Sequence, residues 1–110
     1  MSWPRLAAMS QDGDKRAYSH LLMDIAPFAR AIVSRRITET DTVEDIVQEI
    51  LLSVHKSLHT YSPERPFKPW LISIINFRTT DYLRQHYRKE RNITKSLQDD
   101  EAGHDATILS

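Results

Sequence analysis

Three groups of side chains in this 110-residue chain have the types and spacing for recognition chemistry. The first is Glu44, Asp45, Gln48 and Glu49 with Leu52, which a helix would gather on one side as carboxylates, a two-way hydrogen-bonding amide and one apolar contact. A solvated helix face is the plain alternative, but an acceptor, a donor and an apolar group in one stripe suit a protein interface better. The second is Tyr61 to Pro69, where Pro63, Pro66 and Pro69 stiffen the backbone, Tyr61, Phe67 and the following Trp70 offer π-faces, and Arg65 and Lys68 offer phosphate contacts. That combination holds unpaired bases. The alternatives are a plain connector made rigid by proline, with Phe67 and Trp70 as core anchors. The third is Arg84, Arg88, Arg91 and Lys95, spaced i, i+4, i+7 and i+11. Four cations on one stripe exceed what a helix dipole needs and match a DNA-backbone footprint.

Bond-making chemistry has no comparable foothold. His55 and His59 stand four apart, a spacing that can share a metal, yet no third ligand accompanies them. The two glycines, Gly13 and Gly103, make no phosphate-binding loop, and no nucleophile–base–acid set stands out. No enzyme, metal or cofactor is expected. The chain has no cysteine, hence no disulfide or thiolate site. Fifteen basic and 15 acidic residues cancel, but they are segregated. Glu39 to Glu49 carries acids and no bases, whereas Arg84 to Lys95 carries Arg84, Arg88, Lys89, Arg91 and Lys95 against Glu90. Such a bipolar charge distribution steers partners of opposite sign. No window approaches the roughly 20 apolar residues of a membrane span, so the default is a cytoplasmic protein without membrane insertion.

Helices must position these groups, and the pattern predicts an all-α bundle of three long ones. Residues 1–14 read as a flexible leader, ending in the break Asp12-Gly13-Asp14. From Lys15 to Ile37, Tyr18, Leu21, Leu22, Ile25, Phe28, Ala29, Ile32 and Val33 recur at three and four, with a kink or split expected at Pro27. A short connection over 38–42 makes the next helix an antiparallel neighbour. That helix, Asp41 to Leu58, buries Val43, Ile46, Val47, Ile50, Leu51, Val54 and Leu58, with Asp41 and Glu44, or Thr42 and Asp45, as capping pairs. After the proline loop a third helix accepts Pro66 or Pro69 in its first turn and continues through Trp70, Leu71, Ile74, Ile75, Tyr82 and Leu83 into the basic segment. The helical domain is set at 15–95, and 96–110 reads as an acidic linker or tail.

Taken together, Glu44-Asp45-Ile46-Val47-Gln48-Glu49, the loop Tyr61-Ser62-Pro63-Glu64-Arg65-Pro66-Phe67, Trp70-Leu71 and the Asp81-x-Leu83-Arg84 segment resemble conserved region 2 of extracytoplasmic-function (ECF) sigma factors, over roughly residues 17–90. The resemblance implies a domain that binds core RNA polymerase and recognises and melts the promoter −10 element. It implies that Asp45, Gln48 and Glu49, with Leu52 beside them, dock on the clamp-helix coiled coil of the β′ subunit. It implies that the loop with Tyr61, Arg65, Phe67 and Lys68 captures a base flipped from the non-template strand, and that Arg84, Arg88 and Arg91 engage DNA. An anti-sigma factor is a further implied partner. In a complete member the acidic tail would lead to a second helical domain with a helix-turn-helix for the −35 element. The chain departs from the family at Phe77, where an asparagine facing the −10 bases is common. Asn76 stands one place earlier, a rotation of roughly 100° on a helix, and is named among the DNA-facing candidates. The reading from another class is a helical protein–protein adaptor that does not bind DNA; the basic stripe beside an aromatic loop argues against it.

Overall fold

A computed structural model describes residues 2–98, with side chains through Arg88. Its helices are α1 (Trp3–Gln11), α2 (Lys15–Val33), α3 (Thr40–Ser57) and α4 (Phe67–Gln98), with one 3-10 turn, Leu58–Thr60, between α3 and the loop. By contact the chain divides within α4 into two compact units, Met1–Thr79 and Thr80–Ser110.

Residues 1–14 are the first correction to the sequence reading, because α1 occupies most of the expected leader. Ser2 caps it by accepting from the Arg5 N–H (3.4 Å), Pro4 lies in the first turn where its missing N–H costs nothing, and Leu6 (1% exposed) and Ala7 are buried. Gly13, with φ +99°, then reverses the chain in a conformation that L side chains rarely adopt. Asp14 starts α2 by accepting from the backbone N–H groups of Arg16 and Ala17, both at 3.0 Å.

Along α2 the buried residues are Ala17, Leu21, Ile25, Ala29 and Val33, one per turn on a single stripe. Pro27 is exposed within the helix, which is not split there. On the solvent side water can satisfy the carbonyl that proline leaves without a donor. The α3 stripe is Val43, Ile46, Val47, Ile50 and Val54, all buried, while Leu51 is only half-buried. Each fully buried aliphatic side chain contributes roughly 1.5–3 kcal/mol of transfer free energy, so these two stripes form the core. The start of α3 differs from both expected capping pairs. Its N-cap is Glu39, which makes no side-chain cap bond, and the Thr42 hydroxyl donates instead to Glu39 Oε1 (2.6 Å). Pairs between early α2 and late α3 (Tyr18–His55) and late α2 and early α3 (Arg30–Glu44) make the two helices antiparallel.

The fourth helix begins at Phe67, with Pro69 in its first turn, and reaches Gln98, past the expected domain end. In the first unit its buried residues are Phe67, Leu71, Ile75 and Thr79, again at intervals of four. Thr79 is a buried hydroxyl satisfied by donating to the Ile75 carbonyl (2.7 Å). Arg78 Nε donates to Ser53 Oγ (2.6 Å) and ties α4 to α3. In the second unit Gln85 Nε2 donates to Asp81 Oδ2 (3.2 Å), and the Tyr82 and His86 rings stack with centroids 6.3 Å apart. Among the described residues no helix is long and apolar enough to cross a membrane.

Candidate functional site

Because α3 turns its apolar stripe inward, its remaining face is presented to solvent. Asp45, Gln48, Glu49 and Leu52 are all exposed there, Leu52 at 52%. Glu44, next in sequence to Asp45, is turned aside by α2. Its carboxylate accepts from Arg30 Nε (2.6 Å) and Nη2 (3.2 Å), a two-point charge-assisted pair. The bonds from Arg30 hold the Glu44 carboxyl below the usual carboxylate range and raise the guanidinium's own pKa.

The loop is organised from inside. Tyr61 and Phe67 are 3% and 2% exposed, their centroids are 5.1 Å apart at 84°, and the half-buried Trp70 ring lies 5.2 Å from each. The Tyr61 hydroxyl donates to the Arg65 carbonyl, and burial raises its pKa. The expectation that Tyr61 and Phe67 offer open π-faces is therefore corrected. Three prolines limit the loop's conformations but give it nothing to bury, so the aromatic rings at its two ends anchor it. Phe67 is the deeper anchor and Trp70 the shallower. Arg65 and Lys68 remain exposed, with Lys68 Nζ 5.8 Å from the centroids of both Trp3 and Phe28. Trp3, Phe28, Pro66, Phe67 and Pro69 line a recess of about 640 Å³ beside them.

On α4, Asn76 and Phe77 both face solvent, Phe77 at 61% exposure, and the Arg78 guanidinium carbon lies 5.2 Å from the Phe77 centroid. Arg84 is exposed and Arg88 half-buried. Arg91 and Lys95 fall on α4, but their side chains lie outside those described. Of the two histidines, His55 on α3 pairs through Nδ1 with the Tyr18 hydroxyl, ring centroids 5.6 Å apart, and His59 is in the 3-10 turn. Among the described residues no three metal-ligating groups cluster.

Two residues of consequence escape a reading by periodicity. Gln11 Nε2 donates to the carbonyls of Leu58 (2.8 Å) and Tyr61 (2.6 Å), and the Trp3 ring meets Phe28 and Phe67 edge-on at 5.2 and 5.8 Å. The Ser2 cap, Pro4 in the first turn and Gly13 after the last are the signals by which α1 could be found.

This arrangement of helices has known counterparts. The NMR structure of an engineered region 2 of sigmaE, in complex with GTAAAA, matches with a TM-score of 0.73 and 27% identity, covering 81% of this chain and 93% of that one. The sigma-70 region 2 family model matches residues 21–89, and the chain belongs to that family. Among its relatives are a probable RNA polymerase sigma factor of Haemophilus influenzae, 36% identical over 60% of this chain and 32% of the relative, and the sigma factor CnrH of Cupriavidus metallidurans, 37% identical over 63% and 36%. The ECF sigma factor SigF of Caulobacter vibrioides is 35% identical over 67% of this chain and 42% of its own length. The chain thus spans less than half of each of these relatives. The family is one of transcription initiation factors, not enzymes.

Proposed function

We propose that this domain acts in the bacterial cytoplasm as region 2 of an ECF sigma factor, docking on core RNA polymerase and holding the −10 element of a promoter open. The observation that carries the reading is the outward face of α3, on which Asp45, Gln48, Glu49 and Leu52 are exposed while five apolar residues of the same helix fill the core. This face takes the clamp-helix coiled coil of the β′ subunit, with carboxylates set against basic side chains and Leu52 as the apolar contact. For DNA, the exposed cations Arg65 and Lys68 of the loop are phosphate contacts, and separately, in the second unit, so are the exposed Arg84 and the half-buried Arg88. Tyr61 and Phe67 fix the loop, and the base it captures is held by loop backbone and cations. Asn76 and the exposed Phe77 ring are placed against the unpaired strand because both are open to solvent on α4; that a region 2 takes up such a strand at all is supported by the complex of the engineered sigmaE region with GTAAAA. Flipping a base costs a few kcal/mol and one stacked base returns roughly 1–3 kcal/mol, so capture needs the polymerase to hold the domain in place. An anti-sigma factor covering these faces is the expected regulator.

The test is replacement of the loop Ser62 to Pro66 by a Gly-Ser loop together with Lys68→Ala, which leaves the buried Tyr61 and Phe67 in place, assayed with core polymerase on a promoter. Retention on the polymerase with loss of strand opening is expected; retained opening would contradict the DNA assignment. A domain that binds polymerase but shows no salt-dependent DNA affinity would instead be the helical adaptor.

A further inference from the structure

We infer that α1 is a brace that presets the capture loop, with Gln11 as its positioning residue and Trp3 as its second grip. The family match begins at residue 21, so α1 lies outside it. The inference rests on the proposed role of the loop in holding an unpaired base.

The geometry is that of one short helix gripping the loop at both ends. At the loop's start, both hydrogens of the Gln11 amide are used, on the carbonyls of Leu58 and Tyr61 that bracket the 3-10 turn. Leu58 O also accepts from the Tyr61 N–H at 3.0 Å, so Gln11 closes a small network where α3 gives way to the loop. Tyr61 carries that constraint onward, since its hydroxyl donates to the Arg65 carbonyl while its ring packs on Phe67 and Trp70. At the loop's far end the Trp3 ring packs edge-on against Phe67 and Phe28, its indole N–H donates to Asp24 (3.3 Å), and Lys68 lies over it. Trp3 and Gln11 are the first and last residues of α1, about 12 Å apart along a helix of that length. Burial of Leu6 and Ala7 between them fixes α1 to the body.

A loop held in its binding-competent shape binds at its intrinsic affinity, and one that samples other shapes binds more weakly in proportion to the competent fraction. Gln11→Met keeps the side chain's length and removes both donors. The measurement is the affinity of the full chain, assembled on saturating core polymerase, for a labelled single-stranded DNA hexamer of randomised sequence, with GTAAAA as reference and polymerase alone as blank, well below the melting temperature of either protein. Core-polymerase retention and the salt slope are read in parallel. Losing two hydrogen bonds of ordinary strength predicts an affinity about 3-fold or more below wild type. Salt slope and polymerase retention should be unchanged, because loop cations and the α3 face are untouched. Equal hexamer binding by Gln11→Met and wild type would overturn the brace and leave the proposed function standing. A parallel loss of polymerase retention would make Gln11 a general stabiliser and would also overturn it. Absence of hexamer binding by the wild type would overturn the DNA role, and the brace with it.

Discussion

Glu44 and Asp45 are neighbouring carboxylates with different duties. Arg30, from α2, claims Glu44 with two N–H donors, so its charge is neutralised locally and its value is to the α2–α3 packing. Its folded pKa is depressed, so the stability it contributes is present above the ordinary carboxylate pKa and lost as pH falls through the folded value. Glu44→Gln should therefore narrow the difference in melting temperature between pH 7 and pH 3, by a small amount that shrinks further in high salt because the pair is solvent-exposed. A melting curve at each pH checks it. Tyr61 offers a second test at this scale, since its ring anchors the loop and its hydroxyl closes it. Tyr61→Phe should cost about 1 kcal/mol in denaturant unfolding, the worth of one hydrogen bond, and Tyr61→Ala about 3–5 kcal/mol. The sequence placed Asp45, Gln48, Glu49 and Leu52 on one face by spacing alone. It could not separate Glu44 from them, because Arg30 is 14 residues upstream and the pair exists only once the two helices pack. For the same reason the open or buried state of Tyr61 and Phe67 was not legible: an aromatic beside prolines reads alike as platform or anchor.

At the scale of elements, α2 and α3 declare themselves by a stripe of apolar residues recurring each turn, and that is why they were legible. Nine residues with two buried side chains make too weak a period for α1, and the turn chemistry at its ends carries what signal there is. Pro27 misleads in the other direction. Its removal of a hydrogen bond suggests a break, but burial of Ile25, Ala29 and Val33 on the opposite side keeps the helix running through it. Pro27→Ala restores a donor and a favourable helix residue at an exposed position, so it should raise the melting temperature, with about 3 kcal/mol as the upper limit. The two faces of α3 can be separated by a pair of truncations. Ile50→Ala should cost about 2–5 kcal/mol in unfolding free energy, because Ile50 is fully buried, whereas Leu52→Ala should fall within roughly 0.5 kcal/mol of wild type yet weaken polymerase retention.

Over the whole molecule, zero net charge conceals a segregation of charge. The sequence has an acidic run at 39–49 and a basic run at 84–95, which the proposed function assigns to a protein partner and to a polyanion. Folding adds what composition lacks, turning α3's acids outward and anchoring a proline loop on its own aromatic rings. The polymerase-docking face is the claim on which the rest depends, since base capture is too weak to act without it. The direct measurement is a titration of core RNA polymerase with the labelled chain, comparing wild type with the double reversal Asp45→Arg and Glu49→Arg. Both positions are exposed, so helicity should be unchanged. Saturable binding by wild type, weakened about 10-fold or more by the reversal, is the predicted result. Equal binding by the two proteins, or none by the folded wild type, would contradict the assignment.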